Sequence, residues 1–228
     1  MSRPLFLLYT CRKNLAKAEA CLRTWAKKEK DLLIITDEAL PVPARQEIIA
    51  SHGYQHLCEK TCLMWETIAT KHLGDYGHFV KVDDDTFVFT NNLKRRLHES
   101  TADFFGNWQR WRSPEPGIIK WVTGSFYGLS AKSVEVLAEQ LKKPSERAEF
   151  IGRGPAEDVS VSAILAKKQI APAAWPGMFV QEHRQTLRSL MFRPREPISV
   201  TNLTPTQMRL VYGLAQIRQG GWVRPFFR

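Results

Sequence analysis

Several signatures that would assign a chain at once are missing from these 228 residues. Cysteine is scarce: nine residues separate Cys11 from Cys21 and three separate Cys58 from Cys62, with no CxxC pair. That spacing is a poor framework for zinc, and Cys58 and Cys62, about one helical turn apart, read as buried free thiols. No apolar run approaches the roughly 20 residues that a membrane-spanning helix needs. The apolar stretch from Pro4 to Tyr9 is far shorter and no secretory leader is visible, so the expectation is a cytoplasmic protein with reduced thiols. No GxGxxG follows that stretch, which runs on as Thr10-Cys11-Arg12-Lys13, and a dinucleotide-binding fold is disfavoured. Internal repeats and low-complexity tracts are lacking too. Acids are in deficit, 23 against 33 Lys and Arg, for a net charge of +10. Such a balance suits nucleic acid, an anionic membrane or a phosphorylated substrate, or is simply a basic solvated surface.

What is present is enough apolar material for a core: 43% of residues, including 12 Phe and 7 Trp. The length fits one large domain or a domain with a small appendage. Apolar runs predict strands over 5–9, 32–35, 78–82, 87–89, 103–108 and 118–129, the last a strand or hairpin interrupted by Gly124 and Gly128. Helical spacing predicts a helix after Asn14 carrying Leu15, Ala18, Leu22 and Trp25. Further helices are expected over 44–51, 57–73, 93–98, 130–141 with Ser130 as cap, 156–168 and 207–217. Gly152-Arg153-Gly154-Pro155 reads as a flexible lead-in, and 110–117 as an exposed loop. Strands alternating with helices argue for an α/β fold with a mainly parallel, twisted sheet flanked by helices. A single domain over 1–190, with a C-terminal extension over 191–228 packed on it, is the expected organisation.

The most informative stretch is Lys81-Val82-Asp83-Asp84-Asp85-Thr86-Phe87-Val88-Phe89. Three consecutive carboxylates follow a buried strand, at the sheet edge where open α/β proteins bind ligands. On an extended chain Asp83 and Asp85 would share one face and Asp84 the other. Paired like charges call for a cation, and a hard divalent ion with oxygen ligands is the natural one. The spacing fits neither a calcium loop, which needs Gly where hydrophobic residues stand, nor a haloacid-dehalogenase-type phosphatase. Glu157-Asp158 begins a helix, where the positive dipole end favours carboxylates and would keep their pKa low. Glycines inside the strand at 124 and 128 mark a bulge or a close approach. A lone His183 could join an ion already held by carboxylates. Trp108, Trp111 and Trp121 are open between sugar platforms and core packing.

Taken in order, these pieces resemble the β-1,3-glycosyltransferases of GT-A fold, the group containing the Fringe and core-1 galactosyltransferase enzymes. Cys21-Leu22-Arg23-Thr24-Trp25 resembles their Arg-x-Thr-Trp region, and Tyr54 to Lys60 their Tyr-x-x-Leu-x-x-Lys segment, followed by Trp65. Lys81 to Val88 is similar to the extended DxD motif, and Thr123 to Ser130 to Gly-Gly-x-Gly-Tyr-x-Leu-Ser, with Thr123 and Phe126 in place of two glycines. Glu157-Asp158-Val159 matches Glu-Asp-Val, and Phe179 to His183 resembles Phe-Val-x-Glu-His. The resemblance implies an inverting transferase that uses Mn2+ or Mg2+ and a UDP-sugar. By that resemblance Asp158 is the catalytic base, and Asp83, Asp85 and His183 hold the metal. Thr10, Arg12, Asp83, Asp84 and Gly124 then meet the nucleotide sugar. The acceptor would be a glycan, glycolipid or glycoprotein, with no nucleic acid expected as partner. Two other classes use such features: metal-dependent phosphoryl transfer or nuclease chemistry, and a non-catalytic basic binding module. The basic aromatic tail from Gly220 to Arg228 reads either as a peripheral membrane contact or as a docked terminal segment.

Overall fold

The computed structural model describes residues 3–112, 118–175, 177–179 and 197–219. The chain opens with β1 (Pro4–Tyr9), α1 (Leu15–Arg23), β2 (Leu32–Thr36) and β3 (Gln46–Ile48), then α2 (Leu57–Lys71) and β4 (His78–Asp83). It continues through β5 (Phe87–Val88), α3 (Thr90–Glu99), β6 (Phe104–Arg112) and β7 (Ile118–Ser130). The helices α4 (Ala131–Leu141), α5 (Pro144–Gly152) and α6 (Glu157–Lys167) follow. Short strands β8 (Ala173–Ala174), β9 (Met178–Phe179) and β10 (Ser199–Val200) precede the last of the described helices, α7 (Pro205–Gln219).

Among the described residues, seven strands form the main sheet in the order β3-β2-β1-β4-β7-β6-β8. The pairs β2/β3, β1/β2, β1/β4 and β6/β8 are parallel, and β7 runs antiparallel to both β4 and β6. The sheet is therefore mixed but mainly parallel, as the alternation of strands and helices predicts. The solid apolar run of β1 is explained by burial on both faces. Phe6 and Leu8 point into a layer with Trp25, Leu93, Met208 and Val211. Leu5 and Leu7 point the other way, towards Cys58, Trp65, Leu137 and Leu165.

The structure corrects several expectations. Residues 44–51 contain no helix: Gln46–Ile48 pairs in parallel with β2 at the sheet edge. A helix not anticipated, α5, fills Pro144–Gly152, begun by Pro144 in the first turn, where its missing N–H costs nothing; the lead-in to α6 over residues 153–155 is a turn, as expected. β7 runs as one strand of 13 residues, but its pairing with β6 shifts register across Gly124, from Gly106–Tyr127 to Trp108–Val122, an irregularity of the kind a strand glycine marks. At Gly128 the Phe105 ring lies where a Cβ would stand, 2.0 Å from its nearest atom, so the residue marks a close approach. The capping reading of Ser130 holds, its hydroxyl accepting from Ser133 N. All four cysteines are free thiols, with Cys58 and Cys62 buried on α2.

A second, three-stranded sheet joins β5, β10 and β9. It fastens the segment 197–204 to the chain just past the three aspartates. Phe89 N donates to Ile198 O at 2.9 Å, and Leu203 N donates to Asp85 O at 2.9 Å.

Candidate functional site

At the carboxyl ends of β1 and β4 lies a cleft of about 670 Å³. Thr10 and Cys11 beyond β1, Lys13 and Lys17 of the following turn and helix, and Asp83, Asp84 and Asp85 line one part of it. Gly124 and Ser125 of β7 and Glu157 and Asp158 of α6 form the wall nearest β4, while Asp37, Ser51, Tyr54 and Leu57 form the far end. Strand register explains the convergence. Val82 of β4 pairs with Phe126 of β7, so Gly124 and Ser125 extend past the end of β4, level with the acids.

Asp84 and Asp85 do not continue the strand. They occupy a turn closed by Thr86 N donating to Asp83 O at 3.0 Å. Strict alternation therefore fails here. Asp84 and Asp85 both approach the Lys17 ammonium, at 3.8 and 3.7 Å, whereas Asp83 turns to Lys81, which donates to it at 2.7 Å. Asp84 is buried and accepts from the Thr10 hydroxyl at 2.7 Å. Burial pushes its carboxyl up to about 6, with Thr10 and Lys17 opposing and the charge of Asp83 adding to the rise. Asp85 is raised by the same causes, burial first and Asp83 second.

Behind the acids sits a buried polar node that no single motif announces. Lys81 lies inside β4 with 1% of its surface exposed. Its ammonium donates to Asp83 (2.7 Å), to Gly124 O (2.6 Å) and to Glu157 (2.9 Å). The other oxygen of Glu157 accepts from the Tyr127 hydroxyl, which accepts in turn from the Trp65 indole. Burial would lower Lys81, but the charges of Asp83 and Glu157 outweigh it and hold the ammonium well above its ordinary range. Glu157 is also raised, to about 7, because burial outweighs the pull of Lys81. A charged Lys81 is the direction the geometry supports, since Asp83 and a carbonyl meet it as well as Glu157.

Gly124 is the centre of this arrangement. Its carbonyl takes Lys81, its amide donates to Asp158 at 2.8 Å, and a Cβ there would stand 2.6 Å from a Glu157 oxygen. Asp158 is half-buried; one oxygen accepts from Gly124 N and the other from Val159 N at 2.8 Å. Its pKa is nevertheless raised, because burial exceeds the lowering by these amides. The helix N-terminus therefore does not leave Asp158 a strongly acidic carboxyl, contrary to the expectation from its position alone.

Of the residues singled out in the sequence, Asp83, Asp84, Asp85, Gly124 and Asp158 share this cleft with Thr10. The hydroxyl of Thr10 is engaged with Asp84, and its carbonyl accepts from the buried Lys60 at 2.5 Å. Arg12 is exposed and turns its guanidinium to Ala39 O at 2.9 Å, while its amide donates to Asp37. His183 and the tail over 220–228 lie outside the described residues. Trp108 and Trp111 fall in β6; Trp121, in β7, is half-buried and does not line the cleft. Sequence reasoning missed Lys17 and the linking roles of Lys60, Lys81 and Glu157. For Lys81 a signal existed: an ammonium inside a strand buried on both faces must be matched by acceptors.

Among the described residues no group of three or more His, Cys, Asp or Glu side chains is gathered as a metal-ligand set. The donor chemistry nonetheless fits a hard cation in an open site. Asp83 and Asp85 offer partly exposed carboxylates, and the nearby Lys17 ammonium already marks a place that favours positive charge. No protein-family model matches the chain. No helix among the described residues is long and apolar enough to cross a membrane.

Proposed function

We propose that the chain is an inverting, metal-dependent glycosyltransferase of GT-A type, moving a hexose or N-acetylhexosamine from a UDP-sugar to an acceptor hydroxyl, with a β-1,3 linkage. One observation carries the reading: a half-buried carboxylate, Asp158, is fixed by two backbone amides across the same cleft as the Asp83–Asp85 turn. Inversion needs a single base on the face of the sugar opposite the leaving diphosphate. Asp158 has the chemistry for that role, since each oxygen accepts one amide and keeps lone-pair capacity, and burial raises its basicity.

Asp158 takes the proton of the acceptor hydroxyl as that oxygen bonds to the anomeric carbon and the bond from carbon to the UDP oxygen breaks. Glu157 is less suited, being 3% exposed and committed to Lys81 and Tyr127. Asp83 and Asp85 would hold Mn2+ or Mg2+, with His183 added by the resemblance. A bound ion supplies Lewis-acid stabilisation of the departing diphosphate. Lys13 and Lys17 add positive charge for phosphate oxygens, and Tyr54, 70% exposed at the far end, offers a ring face. A glycan, glycolipid or glycoprotein is the acceptor class in this reading.

The experiment is a panel of UDP-sugars incubated with the protein with and without Mn2+. Release of UDP from at least one of them, dependent on the ion and on Asp85, is the expected result. Inorganic phosphate release or a cut nucleic-acid strand would assign the site to phosphoryl transfer or nuclease chemistry instead. Salt-sensitive binding to nucleic acid or anionic lipid that survives loss of Asp85 and Asp158, with no turnover, would make the chain a basic binding module.

A further inference from the structure

The cations around the acid turn differ in how firmly they are held. Lys60 and Lys81 are buried, and each donates a hydrogen bond of 2.5–2.9 Å to a fixed acceptor. Lys17 is different. Its side chain is 37% exposed, it rises from the first turn of α1, and its ammonium sits 3.8 Å from Asp84 and 3.7 Å from Asp85. Those distances suit an ion pair but exceed hydrogen-bond length. The contacts are also unequal. Asp83 and Glu157 share Lys81 through direct hydrogen bonds, while Asp84 and Asp85 share Lys17 only at ion-pair distance. Asp85, one of the two carboxylates that would hold the ion, is thus countered only by a loosely held ammonium, and a doubly charged ion at Asp83 and Asp85 matches it better. The long, flexible stem lets the ammonium leave without moving the helix.

We propose that Lys17 is the resident counter-ion of the acid turn: it holds Asp84 and Asp85 until a divalent cation displaces it, then turns to the phosphate oxygens of the nucleotide. The inference rests on the metal-site part of the proposed function and not on sugar transfer. It makes binding ordered in effect. The ion alone competes with Lys17, and nucleotide relieves that competition by giving the ammonium a new anionic partner, so ion and nucleotide bind cooperatively.

The test uses the full chain with Lys17→Met and Lys17→Arg, and Mn2+ alone as probe, followed by calorimetry and by electron paramagnetic resonance of the free ion. Lys17→Met is expected to bind Mn2+ about tenfold more tightly than the parent, a gain typical of removing one partly exposed like charge. Lys17→Arg, which keeps the charge, should stay near the parent. At saturating Mn2+, Lys17→Met should bind UDP about tenfold more weakly, the loss of one charge-assisted phosphate contact. Disrupted structure would not tighten an ion, so the first result separates competition from damage. Mn2+ affinity unchanged or lowered in Lys17→Met, or no Mn2+ binding in either protein, overturns the proposal. Unchanged UDP affinity overturns its phosphate half. Tightened Mn2+ binding with no UDP release from any UDP-sugar leaves Lys17 in this role and removes the transferase reading. Mn2+-dependent UDP release with Mn2+ binding indifferent to Lys17 does the reverse.

Discussion

At the scale of single residues, the site depends on which carboxylates are free and which are committed. Asp158 and Glu157 are neighbours, yet Glu157 is consumed by Lys81 and Tyr127 while Asp158 faces the cleft. Asp158→Asn keeps the size and one amide contact and removes the base. UDP-sugar binding should stay within about twofold and transfer should fall by about 10²–10⁴-fold, the usual worth of a positioned base. Retention of most activity in a coupled UDP assay would remove Asp158 from that role. Glu157 gives a separate, pH-dependent expectation. Its folded pKa is raised from 4.5 to about 7, so between those values the native state keeps a proton that the unfolded chain has released. Stability from this group is present at pH 4 and lost as pH rises through 7, on the order of 3 kcal/mol for a shift of that size. Glu157→Gln removes the titration. Denaturant midpoints should therefore depend less on pH from 5 to 8 in the variant than in the parent; parallel profiles would show that burial does not shift this carboxyl.

Among the elements, legibility followed local chemistry. The Ser130 cap was readable because a hydroxyl before an apolar helical pattern has a specific partner, here Ser133 N at 3.2 Å. Ser130→Ala should cost about 1 kcal/mol in chemical denaturation. It should leave turnover unchanged, because α4 does not reach the cleft; a stability loss within error would show the cap to be idle. The same local logic misread residues 44–51, where composition suggested a helix but parallel pairing with β2 made an edge strand. It also missed α5, whose flanking Pro144 and Gly152 look like loop residues until the helix itself defines them as start and end. Asp83, Gly124 and Asp158 were legible as motifs. Their meeting was not, because it depends on the antiparallel register of β7 against β4 and on α6 packing over β7. Lys17 was invisible for a related reason: nothing in its own helix indicates that it faces a turn 67 residues later.

For the whole molecule, the acid turn is a shared product of distant chain segments. The main sheet delivers it, and the segment after residue 196 braces it from outside through β10 on β5 and Leu203 N on Asp85 O. Ile198, Val200, Leu203, Met208 and Val211 are buried in the same layer as Phe87, Val88 and Phe89. At about 1.5–3 kcal/mol for each buried side chain, those five residues contribute on the order of 10 kcal/mol, comparable to the whole stability of a domain. The region is thus an integral layer of the domain, and its removal is not equivalent to trimming an appendage. A chain ending at residue 196 should lose cooperative unfolding and expose its apolar face to a hydrophobic dye. An independent appendage predicts the opposite: a truncated protein with the parent's melting temperature and a sharp transition. Differential scanning calorimetry of the two lengths decides between them. Restoring residues 197–219 should recover both the transition and the ion-dependent properties of the acid turn, since one set of contacts underlies both.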